Sequence, residues 1–410
     1  MSEWKEVTLS DVTSVLGDGI HGTPIYSENG DYYFINGNNL CEGKIIFKSD
    51  TKRVSENEYL KYRKNLTDRS ILFSINGTVG NVAKYNGEPC ILGKSACYFN
   101  IIDSVDKDYI YYVVSSPSFV KSMSNLANGT TIKNVSLKQM REKRLYLPPL
   151  EIQQSIASIL SSLDDKIAVN KKICENLEAQ AQALFKHWFV DFAPFKDGKF
   201  VESELGMIPD GWRVEPLSVI IRYQEGPGIR NWQYVYENGT KFINIRCIKD
   251  GDIITDTANM ISNEEANGKY SHFMLQAGDI VMSCSGTLGR YAIVRKDHLP
   301  LCLNTSVIRF KPVYDFDYSY VLGTLTSTYF LNKQLEMACG SVQANFGPTH
   351  LKQINILIPP ESIRKQFNEK CYDIINNCQN LKKENKFIST LRDTLLPKLM
   401  SGQIKLSEYE

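Results

Sequence analysis

The chain repeats itself. Phe34-Ile35-Asn36, followed by Gly43 and Ile45, returns 208 residues later as Phe242-Ile243-Asn244 with Gly251 and Ile253. Ser74, Gly77, Thr78 and Gly80 return as Ser283, Gly286, Thr287 and Gly289 at a spacing of 209. Pro89, Leu92, Ser95 and Phe99 return as Pro300, Leu303, Ser306 and Phe310 at 211. Gly129 and Asn134 match Gly340 and Asn345, and the pair Pro148-Pro149 matches Pro359-Pro360. The order is kept throughout and the spacing drifts by only a few residues, so the chain is a tandem duplication. Whatever fold one half adopts must serve the other, and 410 residues exceed what one core usually holds.

Each copy has two parts. The first, 1–148 and 209–358, is rich in short strand-like runs such as YYFIN, SILFSI, KFINI and DIVMS, punctuated by Gly, Asn and Pro. The second part follows the Pro-Pro pair and reads as one long helix, over 149–192 and 359–400. In the first helix Ile156, Leu163, Asn170, Leu177 and Leu184 recur every seven residues, with Ile159 or Leu160, Ile167, Ile173, Ala181 and Trp188 between them. In the second, Phe367, Ile374, Leu381, Ile388 and Leu395 do the same, with Cys371, Cys378, Leu391 and Leu399 between. Four successive heptads predict a coiled-coil seam. A helix of roughly 40 residues spans about 60 Å, longer than a domain of this size is wide, which favours pairing of the two helices with each other. The alternative is that each helix packs on its own domain. Asn170 then reads as a register-setting polar seam residue or as an exposed polar break. Residues 193–208 read as a linker and 401–410 as a tail. The fold class is α+β: two tandem β-rich mixed domains, two long helices, and pseudo-twofold symmetry.

Charge and cysteine content narrow the function classes. Lys plus Arg number 47 against 46 Asp plus Glu, so no global positive field marks a polyanion partner. The start, MSEWKEVTLSDV, has no apolar core of a signal peptide, and no apolar run is long enough to cross a bilayer. Ten cysteines show no CxxC pair and sit singly in apolar stretches, as reduced thiols do. The expected location is the cytoplasm, without membrane association. Five scattered His residues give no metal-ligand spacing.

Catalytic signatures are missing. The Pro-Pro pairs lack the flanking Asp/Asn and aromatic residue that an adenine amino-methyltransferase needs. Gly87 to Gly93-Lys94-Ser95 has one residue too many for a phosphate loop, and its repeat partner, Asn304-Thr305-Ser306, lacks both glycine and lysine. Asp164 and Asp165 are adjacent on a helix and point different ways. The chain is expected to catalyse nothing.

The segments LPPLEIQQSIASILSSLDDKIAVNKKICENLEAQAQALFKHWFVDFAPF and LIPPESIRKQFNEKCYDIINNCQNLKKENKFISTLRDTLLPKLMSGQIKL resemble the central and distal conserved regions of specificity subunits of Type I restriction-modification systems. LFKHWFVDF is a specific mark of that resemblance. GDGIHGTP with YFINGNNLCEGKI, and EGPGIRNW with KFINIRCIKDGDI, extend it over nearly the whole chain. The resemblance implies two target recognition domains joined by an antiparallel pair of helices forming a coiled coil. It implies a bipartite double-stranded DNA target, two methyltransferase subunits docked on this body, and restriction subunits joining them. S-adenosylmethionine and ATP belong on those partners, leaving no cofactor on this chain. Leu163, Asn170, Leu177, Leu184, Trp188, Ile374, Leu381, Ile388 and Leu395 are the expected subunit-interface residues. A related recognition subunit of Type IIB-like systems and, more distantly, a coiled-coil adaptor without DNA contact are the alternative readings.

Base-reading residue types gather in three regions of each copy, since Asn and Gln pair with adenine and Arg with guanine. The early loop offers His21 and Thr23, and Arg230 in the second copy. The strand end offers Asn36 and Asn38 against Arg246. The late loop offers Thr130, Thr131, Lys133 and Asn134 against Ser341, Gln343 and Asn345. The same residues also suit turns needing positive φ, the reading favoured for Gly77-Thr78-Val79-Gly80 and Gly286-Thr287-Leu288-Gly289. Lys61, Arg63 and Lys64 beside Tyr59 and Tyr62 suit either a phosphate track or a solvated face. Residues 1–148 carry 18 Lys/Arg against 16 Asp/Glu and residues 209–358 carry 14 against 14. Partner subunits should therefore supply much of the affinity for DNA.

Overall fold

The computed structural model describes residues 4–127, 134–338 and 345–404. Contacts divide the chain into two compact units, 1–167 with 387–410, and 168–386. This division cuts across the sequential one, because each unit takes a globular domain together with a part of both long helices.

In the first unit the strands Thr13–Asp18, Ala96–Ile101, Ser70–Ser74 and Val82–Lys84 lie side by side in an antiparallel sheet. Every residue of Ser70–Ser74 and Ala96–Ile101 is buried, so these strands read as mainly apolar runs, interrupted by Ser70, Ser74 and Asn100, rather than alternating ones. A second sheet orders Arg53–Val54, Tyr32–Ile35 and Cys90–Leu92, the last two parallel. Lys5–Thr8 pairs antiparallel with Arg144–Leu147, so the chain enters and leaves the domain through neighbouring strands. Helices Lys107–Ser115 and Pro117–Leu126 start at Asp106 and Ser116, whose side chains accept from Tyr109 N and Phe119 N. The core of Leu9, Phe73, Phe99 and Tyr109 runs on into Ile156 and Leu160 of the first long helix (Leu150–Phe189) and Leu396 and Leu399 of the second (Glu361–Met400). Asp164 joins the two helix segments by accepting from Arg392 Nη1 at 2.6 Å, while the Tyr112 hydroxyl donates to its other oxygen at 2.7 Å.

The second unit repeats the topology. Ile221–Glu225, Val307–Pro312, Ile280–Ser283 and Tyr291–Ile293 form the antiparallel sheet. Gly239–Ile243 runs parallel to Leu301–Leu303 in the other sheet, and Arg213–Pro216 closes the domain against Asn355–Ile358. The stretch read as a linker contains an ordered hairpin, Phe200–Ser203 with Gly206–Pro209. Aromatic packing accounts for it: Phe195 lies 6.0 Å from Trp188 and 5.0 Å from Trp212, and Ile208 is buried in the core. Phe189 meets Tyr320 and Phe367 edge-on at 4.7 and 4.8 Å, which fixes both long helices to this domain. Gly323 lets the Phe185 ring approach so closely that an added Cβ would stand 2.2 Å from it.

Within this unit the helix segments are antiparallel. Asn170 Nδ2 donates to Glu384 Oε2 at 2.8 Å and Asn385 Oδ1 at 2.9 Å; Cys174 Sγ lies 3.4 Å from Cys378 O; Lys382 Nζ binds Glu178 Oε1 at 2.7 Å. Asn170 is fully buried, hence a polar seam residue and not an exposed break. The expected seam shifts where Ile173 turns outward at 40% exposure and Cys174 takes the buried place. Of the alternatives Ile159 and Leu160, Leu160 is the buried one. Trp188 and Ile388 are buried, and Leu163, Leu177, Leu184, Ile374, Leu381 and Leu395 are half-buried within their own units.

The duplication reaches individual hydrogen bonds at the entry to each long helix. The Tyr109 hydroxyl donates to Tyr146 O at 2.8 Å, and its counterpart Tyr320 donates to Leu357 O. Gln153 donates to Pro148 O at 2.7 Å and accepts from Asp106 N at 2.9 Å. At the matching position Arg364 donates to Pro359 O at 3.0 Å and to the Asp317 carboxylate. The joint is neutral in one copy and ionic in the other. Asp317 is fully buried, so Arg364→Ala should cost the second unit about 3–5 kcal/mol by stranding a carboxylate. Urea unfolding read by tryptophan fluorescence checks this, with Arg364→Ala/Asp317→Asn recovering part of the loss.

Candidate nucleic-acid interface

The loops singled out in each copy meet around one serine. Ser95 Oγ donates to Asn36 Oδ1 at 2.9 Å and accepts from Gly37 N at 3.0 Å, while Ser95 O accepts from Ile75 N at 2.9 Å. Ile75 O accepts from Val135 N at 2.8 Å, and Asn76 bridges to Asn134. The strand-end loop, the Gly-Thr-Val-Gly turn and the base of the late loop are thereby tied together. Ser306 repeats the arrangement: its Oγ accepts from Ile245 N at 3.3 Å, and its carbonyl accepts from Cys284 N at 3.0 Å. Cys284 O then accepts from Phe346 N at 2.8 Å, and Ser285 bridges to Asn345. The early loop joins the same place. Ile20 N donates to Leu92 O at 2.7 Å, and a Cβ on Gly19 would lie 2.0 Å from that oxygen. In the first unit Asp18, His21, Asn76, Lys94 and Asn134 line one cleft.

The geometry sorts the expected contacts. Asn38, Thr23, Arg230, Arg246, Asn134 and Asn345 are exposed. His21 is exposed and its Nε2 lies 2.8 Å from Asp18 Oδ2. Asn36 is committed instead to Ser95, and its backbone N–H to Asn39 Oδ1 at 2.9 Å. Thr130, Thr131, Lys133, Ser341 and Gln343 lie outside the described residues. The Gly-Thr-x-Gly segments are turns: Ser74 Oγ donates to Thr78 O at 2.6 Å, Ser283 Oγ to Thr287 O at 2.7 Å, and Gly77, Gly80, Gly286 and Gly289 all have positive φ. In the basic cluster Tyr59 stacks on Tyr32 at 4.0 Å and Lys61 lies over the Tyr62 ring. Ser95 and Ser306 were visible in the sequence only as a repeated residue; their identity between copies was the signal of their role.

The face carries perturbed groups as well. Burial pushes the Cys284 thiol up to about 12 and raises the Glu225 carboxyl at the end of its strand. Arg246 leads into a small hairpin, Ile248–Lys249 with Asp252–Ile253, and Arg295 braces it from behind by gripping both Asp252 oxygens at 2.6 and 3.2 Å. Burial opposes ionisation of Asp252, but the contacts of His298 and Arg295 prevail and hold it at about 2. Among the described residues no His/Cys/Asp/Glu group is placed to hold a metal ion, and no helix is long and apolar enough to cross a membrane.

Comparison with known proteins follows the same internal symmetry. The family model of the Type I restriction modification DNA specificity domain matches residues 1–179 and again residues 209–389. The chain belongs to this family. It is 25% identical to the MjaIX Type I restriction enzyme specificity subunit of Methanocaldococcus jannaschii, over 99% of this chain and 94% of that protein. It is 28% identical to the MjaVIII specificity subunit of the same organism, over 74% of this chain and 71% of that protein. Among solved structures, the S subunit of a Type I restriction-modification system from M. genitalium shares the fold, with a TM-score of 0.56 and 17% identity, covering 97% of this chain and 96% of that one.

Two outcomes follow from the specificity-domain face. Asn36→Ala should cost about 1 kcal/mol or more by leaving the Ser95 hydroxyl without its acceptor, whereas Asn38→Ala should stay within about 0.5 kcal/mol; urea midpoints of the two variants separate support from readout. Asp252, depressed when folded, contributes stability that is present above the unfolded carboxyl value near 4 and lost as pH falls toward 2. Acid titration followed by tryptophan fluorescence should show the second unit weakening in that window, and Asp252→Asn should flatten the response.

Proposed function

We propose that this chain is the DNA specificity subunit of a Type I restriction-modification complex, reading an asymmetric bipartite target with one half-site per globular domain. The observation that carries this reading is a loop cluster tied in both copies by the same backbone bonds to Ser95 and Ser306 yet tipped with different residues. Asn38 stands where the second copy has Arg246, and both are exposed. A shared scaffold with exchanged tips suits two readers of different short sequences. The subunit itself performs no chemistry in this reading. It places two methyltransferase subunits, and restriction subunits with them, on the duplex. S-adenosylmethionine and ATP are bound by those partners. The near balance of charge in each domain agrees with partners supplying much of the grip on the phosphates.

Arg246→Ala in the assembled methyltransferase should lose about 1–3 kcal/mol of discrimination at one base pair of one half-site. Mapping methylated adenines across genomic DNA reads the result directly. The half-site read by the first domain should keep its sequence, and a motif changed in both halves, or in neither, would refute the assignment of one reader to each half.

A further inference from the structure

The two loop clusters share a scaffold but not the location of their positive charge. In the first unit three exposed lysines surround the strand-end loop. Lys52 O accepts from Phe34 N at 2.9 Å, which sets this lysine beside the strand that delivers Asn36 and Asn38. Lys48 N donates at 2.7 Å to Thr51 Oγ1, and that oxygen also receives Asn39 Nδ2 at 3.2 Å. Lys94 lies between Gly93, whose N–H donates to Ile35 O at 2.8 Å, and Ser95, the centre of the cluster. Each lysine is therefore one or a few residues from a group bonded to the loop itself. Unlike Lys84, held by Asp108 at 2.8 Å, none of the three is paired with a carboxylate among the described residues.

The second unit marks the same positions by the same hydrogen bonds. Phe242 N donates to Asn259 O at 3.0 Å where Phe34 N meets Lys52. Ala258 N donates to Thr255 O at 3.2 Å as Thr51 N donates to Lys48 O at 3.0 Å. Thr305 precedes Ser306 as Lys94 precedes Ser95. All three lysines are thus replaced by neutral residues, while each turn keeps one acid, Asp50 or Asp256. Lys241, the nearby cation of the second unit, is half-buried and its Nζ lies 3.3 Å from Thr255 Oγ1. Its exposed charge lies elsewhere, on Arg246 at the loop tip, Lys249 in the hairpin that follows, and Arg290 beside the turn.

Lysine is a mobile point charge that meets phosphate oxygens from many directions, whereas the planar guanidinium, which also grips phosphate, presents the fixed fork that pairs with a guanine edge. We infer that Lys48, Lys52 and Lys94 form a phosphate clamp for duplex DNA around the first reading loop, a clamp that the second domain lacks. The inference rests on the loop clusters being the DNA face. One half-site is held by rim charges that ignore sequence, the other by tip charges that read it.

The test uses the full chain assembled with its methyltransferase subunits, and anisotropy titrations of a mixed-sequence duplex across a salt series. Each phosphate contact removed lowers the slope of log affinity against log salt by about 0.9, so Lys48→Ala/Lys52→Ala/Lys94→Ala should lose roughly two to three. Affinity should fall alike for target and non-target duplexes. The transplant Thr255→Lys/Asn259→Lys/Thr305→Lys should steepen the slope by a similar amount, and it does not depend on tolerance of the first variant. An unchanged slope in the alanine variant overturns the clamp. If Asn38→Ala and Arg246→Ala also leave the methylated motif untouched, the DNA face itself is misplaced; if they alter it, only the clamp fails.

Discussion

Each globular domain rests on paired helix segments, and that apolar contact supports everything else. Neither domain closes its core with its own strands alone. The first needs Ile156 and Leu160 from one helix and Leu396 and Leu399 from the other. The second needs Phe185, Trp188 and Phe189 together with Phe367 and Cys371. Both long helices are consequently two-faced, with one stripe for the partner helix and another for a domain. Burial on this scale, at about 25 cal/mol per Å² of apolar surface, dominates any single polar contact in the structure. Polar groups serve a different end. Asn170, Glu384 and Asn385 give the seam a preferred register that apolar side chains alone define weakly.

Ser95 and Ser306 do for the loops what the helices do for the domains. One short side chain and its carbonyl tie together segments far apart in sequence, leaving neighbouring side chains free to vary. Asn36 and Asn38 show how sharp the division is. Two residues apart and of identical type, one is consumed by the scaffold and the other faces solvent. Variation at the second changes what the surface presents without disturbing how it is held.

The duplication, the strands and the length of both helices were legible in the sequence, because repetition and apolar runs record burial directly. The seam was legible only in part. A helix buried on two faces carries two overlapping apolar stripes, so heptad counting selected Ile173 where the structure buries Cys174. The hairpin between the domains was hidden by its glycines and prolines, which read as a linker until Phe195, Ile208 and Trp212 are seen packing it down. Asn36 could not be told from Asn38 by residue type, since the decisive partner, Ser95, lies 59 residues away. Of the late-loop residues, Asn134 and Asn345 are placed at the cluster, and the other five fall outside the described residues.

The pairing of Lys5–Thr8 with Arg144–Leu147, and of Arg213–Pro216 with Asn355–Ile358, makes each domain a closed excursion of the chain. Entry and exit lie side by side, so a whole domain can be exchanged by recombination at two flanking sites without re-threading what remains. The gene can acquire a new reading head in one event while the helices, and the surfaces they offer, pass unchanged to the descendant. Reading heads and framework are thus free to evolve at different rates, one by replacement and the other by slow point substitution.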